Sequence, residues 1–358
     1  MQLVVWEGIA SGEGPAFHAN GDGVSIPPEL RQPTTIGDGI VQIRLPMAGN
    51  PMRYVNGYVL EDEDGLTLID CGWKGADVLA ALEEGLARCG HGVRDVRRLL
   101  VTHFHMDHYG LAGTLRAAGV PELGMHPRDW HVVQIRAAEG DDDAIVDSWL
   151  ERNGLHVESD DDPDYERYDV AEPTRLLEDG EQIGRLRALW TPGHSPGHLC
   201  FIDTVSGRTF TGDHVLDPVT PHVGLWHDRG RDPMGEYVAS LRAIGAVETS
   251  GVLPAHGEAF PDLARRVEEL LAHEAARERD VLRALGAGPS SATAVAGALR
   301  WRRRGDRFDQ LPNGYRQFAV AETLAHLEHL RARGLVTRDE RTAPITWTLA
   351  APSATAAQ

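Results

Sequence analysis

Thr102-His103-Phe104-His105-Met106-Asp107-His108 follows the apolar run Leu99-Leu100-Val101 and leads into Tyr109-Gly110-Leu111-Ala112-Gly113, which reads as the start of a helix. Four side chains able to hold a metal therefore fall within six residues on a strand-to-helix loop. In an extended segment, side chains two apart point to the same side, so His103 and His105 can reach one ion. Asp107 and His108 come where the chain turns into the helix. There they can face a second ion at the spacing of about 3.5–4 Å usual for two-metal sites. Singly, each residue is ordinary: a strand histidine is usually packed or solvated, and Asp107 reads equally as a helix N-cap. Their density argues for metal.

Three more stretches repeat the arrangement downstream. Thr191-Pro192-Gly193-His194-Ser195-Pro196-Gly197-His198, Phe210-Thr211-Gly212-Asp213-His214 and Leu253-Pro254-Ala255-His256-Gly257 each place a His or Asp after an apolar run, in a Gly/Pro-rich turn. A fold can gather ligands from several strand ends onto one edge in this way. With Asp70-Cys71-Gly72, these motifs in this order resemble the metallo-β-lactamase superfamily over roughly residues 36–260.

The resemblance implies an α+β fold, an αββα sandwich. It implies His103, His105 and His194 on a first metal and Asp107, His108 and His256 on a second, with Asp213 bridging. Asp70 then supports the metal loop without being a ligand, and His198 supports the site from behind. The second site has no Cys and the bridging position is Asp, a pattern that looks like the glyoxalase II and lactonase side of the superfamily. Imidazole and carboxylate without thiolate suit two zinc ions, with iron or manganese as alternatives. Such a pair lowers the pKa of a bridging water to about 7, and the hydroxide attacks an acyl or phosphoryl centre. Asp107 and Asp213 are the catalytic carboxylates on this reading. His214, beside the bridging Asp, and His222 and His227, in the loop 218–229, are candidates for substrate contact.

The rest of the chain sets the context. Its 358 residues suffice for one large domain and a small one. No run of 18 apolar residues exists and no membrane partner is expected. The start, Met1-Gln2-Leu3-Val4-Val5-Trp6-Glu7, lacks a basic segment followed by an apolar one, so no signal peptide is expected. Cys71, Cys89 and Cys200 are odd in number and widely spaced, which fits a reducing, cytoplasmic setting. The net charge is −19, which repels nucleic acid and anionic membranes at long range. The charge is uneven: His273–Thr342 holds 13 Arg and no Lys against nine acidic residues. That shift marks the C-terminal segment as a separate unit.

Residues 1–35 read as an irregular arm. Strands are expected at Ile40–Leu45, Val55–Leu60, Leu66–Asp70 and Val96–Thr102, with Asn56-Gly57 as a turn or bulge and Glu61–Gly65 as a hairpin turn. Later strands are expected at Leu186–Trp190, Leu199–Asp203, Thr209–Thr211 and Gly251–Leu253. Helices are expected over Ala76–Arg88, Leu111–Ala118 and Met234–Ile244. Residues 126–172 form an insertion with helices at His126–Ala138 and Ala144–Asn153 and acidic runs at 141–143 and 160–162. In the superfamily such insertions line the pocket, which makes Trp130, Trp149, His131 and Tyr165 candidates for substrate contact. For each, packing beneath the insertion is the competing role.

After His256, the helix Pro261–Leu285 reads as a linker. Ala292–Leu299 and Gln317–Arg333 are further helices, and Gly334–Thr337 and Ile345–Leu349 are short strands. This pattern resembles a winged-helix domain over residues 261–350, with 351–358 as a tail. A similar appendage occurs in β-lactamase-like endoribonucleases and polyketide-type thioesterases. Trp301-Arg302-Arg303-Arg304-Gly305-Asp306-Arg307 is its basic loop, able to meet nucleic-acid phosphates, an active-site wall or a second copy in a homodimer. The expected function is a dinuclear zinc hydrolase of a small acyl substrate, thioester or lactone. The alternative is a metal-dependent endoribonuclease that holds RNA with the winged helix.

Overall fold

A computed structural model describes residues 32–139, 142–157, 170–226, 230–301 and 305–351. Most of the expected N-terminal arm, Tyr165, His227, Arg302–Arg304, the second acidic run and most of the tail lie outside the described residues.

The first half runs β1 (Thr34–Gly37), β2 (Ile40–Pro46), β3 (Tyr54–Asp62), β4 (Gly65–Ile69), α1 (Ala76–Arg88), β5 (Val96–Leu100), α2 (Met106–Tyr109), α3 (Ala112–Ala117), β6 (Glu122–Met125), α4 (Pro127–Glu139), α5 (Asp142–Arg152) and β7 (Arg175–Leu176). The second half runs β8 (Gln182–Ile183), β9 (Leu186–Trp190), β10 (Leu199–Asp203), β11 (Thr209–Gly212), α6 (Pro233–Gly245), β12 (Val252–Pro254), α7 (Leu263–Leu285), α8 (Ala292–Ala298), β13 (Arg300–Trp301), β14 (Asp306–Arg307), α9 (Asn313–Ala332), β15 (Val336–Asp339) and β16 (Thr346–Leu349).

Strands β1 to β7 lie in sequence order in one sheet, antiparallel through β4 and parallel from β4 to β7. The second sheet has the order β12-β11-β10-β9-β8. Alternation along each strand builds the layers. Leu100 and Ile69 face the second sheet's Leu199, Phe201 and Phe210, while their neighbours Leu99 and Leu68 face the other way, among Val78, Leu82 and Leu115. On β10, Cys200 points away from Phe201 and joins Tyr237, Leu241 and Val267 of α6 and α7. Helices therefore cover the outer face of both sheets, giving the expected αββα order.

The C-terminal elements do not stand apart. Leu324, Leu327 and Trp347 belong to the same hydrophobic core as Cys200, Val215 and Leu225. Backbone bonds tie this region to the end of α5, from Ile345 N–H to Arg152 O and from Thr293 N–H to Asn153 O. Helix α9 is buried on more than the single face expected: Phe318, Ala319, Ala321 and Ala325 join Val320, Leu324, Leu327 and Leu330. Thr323, His326 and Glu328 are buried too, so α9 is enclosed on most sides, as the central member of its layer is.

Two local expectations change. Asn56-Gly57 is not a turn but lies inside β3, where a Cβ on Gly57 would meet Leu45 Cδ1 at 3.2 Å and Asp70 O at 3.3 Å. The helix expected at Leu111–Ala118 forms as α3, but a separate short turn, α2, precedes it, and the two are broken at Gly110. There a Cβ would fall 2.5 Å from Lys74 N and 2.7 Å from Gly72 O, so only glycine lets the backbones approach.

Candidate metal centre

The strand feeding the quoted loop ends at Leu100, two residues before Thr102. From there the chain bends, and His105, with extended backbone, is the N-cap of α2. Asp107 is thus inside the first turn and not the cap. The loop is held from both sheets: Val101 N–H donates to Gly124 O on β6, and Leu199 N–H on β10 donates to Thr102 O. Asp70 holds it from below. Its carboxylate accepts from the Thr102 backbone N–H at 2.8 Å, from the Thr102 hydroxyl and from His108 Nδ1–H at 2.8 Å. Asp70 takes a left-handed φ of 58°, costly for a non-glycine residue, and these three bonds account for it.

Two side-chain clusters result. In the first, His105 Nδ1 lies 2.7 Å from His103 Nε2, and His194 Nε2 lies 3.2 Å and 3.0 Å from His103 Nε2 and His105 Nδ1. In the second, His256 Nε2 lies 3.3 Å from Asp107 Oδ2, and His108 Nε2 lies 3.6 Å from the same oxygen. Asp213 stands between them. Its Oδ2 is 3.6 Å from His194 Nε2 and 3.5 Å from His108 Nε2, and its Oδ1 is 3.5 Å from His256 Nε2. All seven residues are buried except His105, which is half-buried.

The outer nitrogens of three histidines are committed elsewhere. His108 Nδ1–H donates to Asp70, His194 Nδ1–H to His222 O at 2.7 Å, and His256 Nδ1–H to Tyr54 O at 3.1 Å. Each bond fixes the tautomer and leaves an Nε2 lone pair facing the cluster. The inner atoms Asp107 Oδ1, His108 Nε2, both Asp213 oxygens and His256 Nε2 are buried without a hydrogen-bond partner. Buried polar atoms in native proteins are nearly always satisfied. Converging imidazole and carboxylate donors left unsatisfied suit a divalent cation, with zinc favoured by the nitrogen-rich set. Two triads of such atoms, His103-His105-His194 and Asp107-His108-His256, each lie within 4.8 Å, as does the overlapping group His103-His108-Asp213.

The two clusters differ electrostatically. Burial and the neighbouring imidazoles hold His103 and His105 well below the ordinary histidine pKa, and burial lowers His194. Burial also opposes charge on His108 and His256. Around His108 it is outweighed by Asp107, Asp213 and Asp70, and around His256 by Asp213 and Asp107, so both pKa values rise. Asp213 is held low despite its burial by His256 and His108.

The other candidates separate by position. His198 Nε2 accepts the Asp213 backbone N–H at 3.2 Å, and its Nδ1 contacts Thr191 Oγ1 at 2.9 Å, so it supports Asp213 through the main chain. His214 is fully buried against His198 and Tyr237, and burial lowers its pKa to about 3. His222 is buried against Phe318 and Trp226. Trp149 is buried in the core shared by the second sheet and the C-terminal helices, its Nε1–H reaching Leu225 O at 3.4 Å. Trp130 is half-buried against the outer face of the first sheet. His131 is exposed.

Two positioning residues escape the sequence reading. Asp129, in the first turn of α4, accepts from Phe104 N–H at 3.0 Å, from the Ser195 hydroxyl at 2.8 Å and from Gly197 N–H. It thereby stitches the loop bearing His103 and His105 to the loop bearing His194. Burial raises its pKa to about 6 against the pull of those bonds. Asn56 Nδ2 donates to Pro254 O and Gly257 O, both at 3.0 Å, and clamps the turn that carries His256.

Residues 51–256 match the family profile described as the metallo-beta-lactamase superfamily. The chain is similar to the "Lactamase-like protein adaB" of Aspergillus niger, 27% identical over 289 residues that span 79% of this chain and 75% of that one. It is also similar to the "Atrochrysone carboxyl ACP thioesterase" of Aspergillus fumigatus, 27% identical over 262 residues covering 72% and 68% of the two chains. Among solved structures, a metallo-beta-lactamase family protein of Thermus thermophilus superposes with a TM-score of 0.76 at 30% identity, over 88% of this chain and 100% of that one. With the clustered ligand atoms, these likenesses establish that the chain belongs to the metallo-beta-lactamase superfamily and is a metallo-hydrolase.

Proposed function

We propose that the protein is a dinuclear zinc hydrolase of a small acyl substrate, a thioester or lactone, with His103, His105 and His194 on one ion, Asp107, His108 and His256 on the other, and Asp213 shared. The single observation that carries this reading is the position of Asp213, its two unsatisfied oxygens within 3.6 Å of imidazole nitrogens from both clusters. A divalent pair, when bound, supplies Lewis acidity and an acidified water. The protein's part is orientation and proton handling. Asp107 Oδ1, buried and without a partner, accepts a hydrogen bond from the attacking water and aims it. The histidines act as neutral donors whose tautomers are set by Asp70, His222 O and Tyr54 O. Such outer partners raise ligand basicity and hold ring orientation.

The likeness to an acyl-carrier-protein thioesterase supports the acyl class, as does the acidic surface charge, which disfavours polyanionic nucleic acid. The absence of a Cys from the donor set supports the glyoxalase II and lactonase side of the superfamily. We assign residues 36–260 to the catalytic region and 261–350 to a winged-helix-like segment that shares its core, and we place the protein in the cytoplasm on its three free cysteines. The test is turnover by zinc-loaded protein on matched acyl-thioesters, lactones, a β-lactam and a structured RNA, with His105→Ala as control. Thioester or lactone turnover that disappears in the variant is expected. Cleavage of RNA alone would move the assignment to the nuclease.

A further inference from the structure

Helix α9 lies beyond residues 51–256, which carry the superfamily match, yet it touches the candidate metal centre through one short segment. His194 Nδ1–H donates to the His222 carbonyl at 2.7 Å. The ring of the same His222 reaches the other way, and its Nε2–H donates to the Phe318 carbonyl on α9 at 3.1 Å. Three residues on, Leu225 N–H donates to Ala321 O at 2.9 Å, one turn further along the helix. The rings of His222, Trp226 and Phe318 pack on one another with centroids 4.9–5.7 Å apart. Gly224 makes the close approach workable. A Cβ there would fall 2.5 Å from His222 Cε1, 2.8 Å from Trp226 Nε1 and 3.2 Å from Ala321 Cβ.

We propose that His222 is a positioning residue through which α9 sets the orientation of His194, so that the C-terminal region is a working part of the first metal cluster. The argument is geometric. A backbone carbonyl can fix a ligand's tautomer only if its own position is fixed. The carbonyl of His222 sits in a loop between β11 and α6; Arg266 of α7 holds the loop at Val219 O and Trp149 of α5 reaches Leu225 O, but the bonds made by His222 itself and by Leu225 N–H go to α9. His222 is buried, so its ring has no solvent partner to exchange for Phe318 O. Loss of that anchor leaves a buried imidazole nitrogen unpaired and frees the loop, and with it the direction of the His194 lone pair. This explains a role for the C-terminal elements that needs neither nucleic acid nor a second copy of the chain. It rests on the assignment of His194 as a metal ligand.

The experiment is a cobalt(II) titration of the full chain against a chromophoric chelator, reading both affinity and the ligand-field absorption bands, for the wild type, His222→Ala and His222→Gln. His222→Ala should weaken one of the two metal equivalents by about 10- to 100-fold and shift its bands, the range seen when such outer partners are removed. Glutamine keeps an N–H at similar reach and should restore most of the affinity. Unchanged affinity and bands in folded His222→Ala would overturn the proposal, even if the melting temperature fell, because the residue would then only pack. Failure of His222→Gln to restore binding would overturn it too. Should His222→Ala not fold, Gly224→Ala, which pushes the segment off α9, is read in the same way. A wild type that binds no divalent ion at all would remove the metal assignment itself, a result distinct from a variant that binds as the wild type does.

Discussion

The two clusters are neighbours built from different donors, and they balance charge differently. The first is three imidazoles with nitrogens 2.7–3.2 Å apart, all held below the ordinary histidine pKa, chiefly by burial. Their nitrogens converge on one point, and no carboxylate completes that triad. The second mixes His108 and His256 with Asp107 and Asp213, and the carboxylates raise the pKa of both histidines. Protons therefore compete with metal up to a higher pH in the second cluster than in the first. Asp213, which borders both, is where the comparison can be broken most severely. Asp213→Ala should cut turnover to background and remove metal from one or both clusters, read by metal analysis after gel filtration. Full retention of metal and activity would sink the shared-carboxylate assignment.

The clusters also differ in how they are braced. The second leans on Asp70, which holds His108 directly. The first leans on Asp129, which touches no candidate ligand ring but joins the two loops that bring the rings together. In Asp129→Asn an amide N–H₂ replaces one acceptor oxygen and faces a donor. One or two of three buried bonds are lost, at a cost of about 2–3 kcal/mol in stability. The weakening of metal binding should fall on the first cluster, about tenfold, with the second spared. Thermal melting and stepwise metal titration check both parts. Equal weakening of the two clusters would mean that the bracing is not specific.

This contrast also explains what can be read from the sequence. The loop from Thr102 to His108 announces itself because four donors crowd into six residues, and no packing role asks for that. Asp129 does not, because Pro127-Arg128-Asp129 at the start of an amphipathic helix is what any first turn looks like: proline at N1 and an acid near the positive helix end. Its three partners lie 25, 66 and 68 residues away in sequence. Asn56 is hidden similarly, since Asn-Gly is a strong turn signal and only the pairing of Ile43 with Gly57 reveals a continuous strand. Strand β6 escapes notice because Pro121 and Gly124 interrupt a run too short to show periodicity, yet it completes the parallel pairing beside β5. The C-terminal helices are legible as elements but not as a layer. The change in charge points to a separate unit, whereas burial around α9 shows one continuous core with the second sheet. Trp149 illustrates the same limit: an aromatic in a pocket-lining insertion reads as a substrate contact, and it packs in that core.

The smallest effect concerns protons, and its sign follows from the directions of the shifts. A histidine whose pKa is raised keeps its proton to a higher pH than an ordinary one, and wherever it is protonated it must release that proton before its nitrogen can bind metal. For His108 and His256 the raising charges are Asp107 and Asp213, with Asp70 also facing His108. Metal entering the second cluster should therefore expel one or two protons, and its affinity should fall about tenfold per pH unit for each proton displaced as the pH drops. For the first cluster the pKa values lie low, so uptake at neutral pH should release almost none and its affinity should stay level as the pH drops until those low values are reached. Calorimetric titration in two buffers of different ionisation enthalpy counts the protons for each equivalent. The first equivalent should show the same heat in both buffers, and the second a heat that follows the buffer. Equal proton release at both steps would mean that the carboxylates do not set the two halves of the centre apart in their hold on protons, and the electrostatic distinction between the clusters would fall.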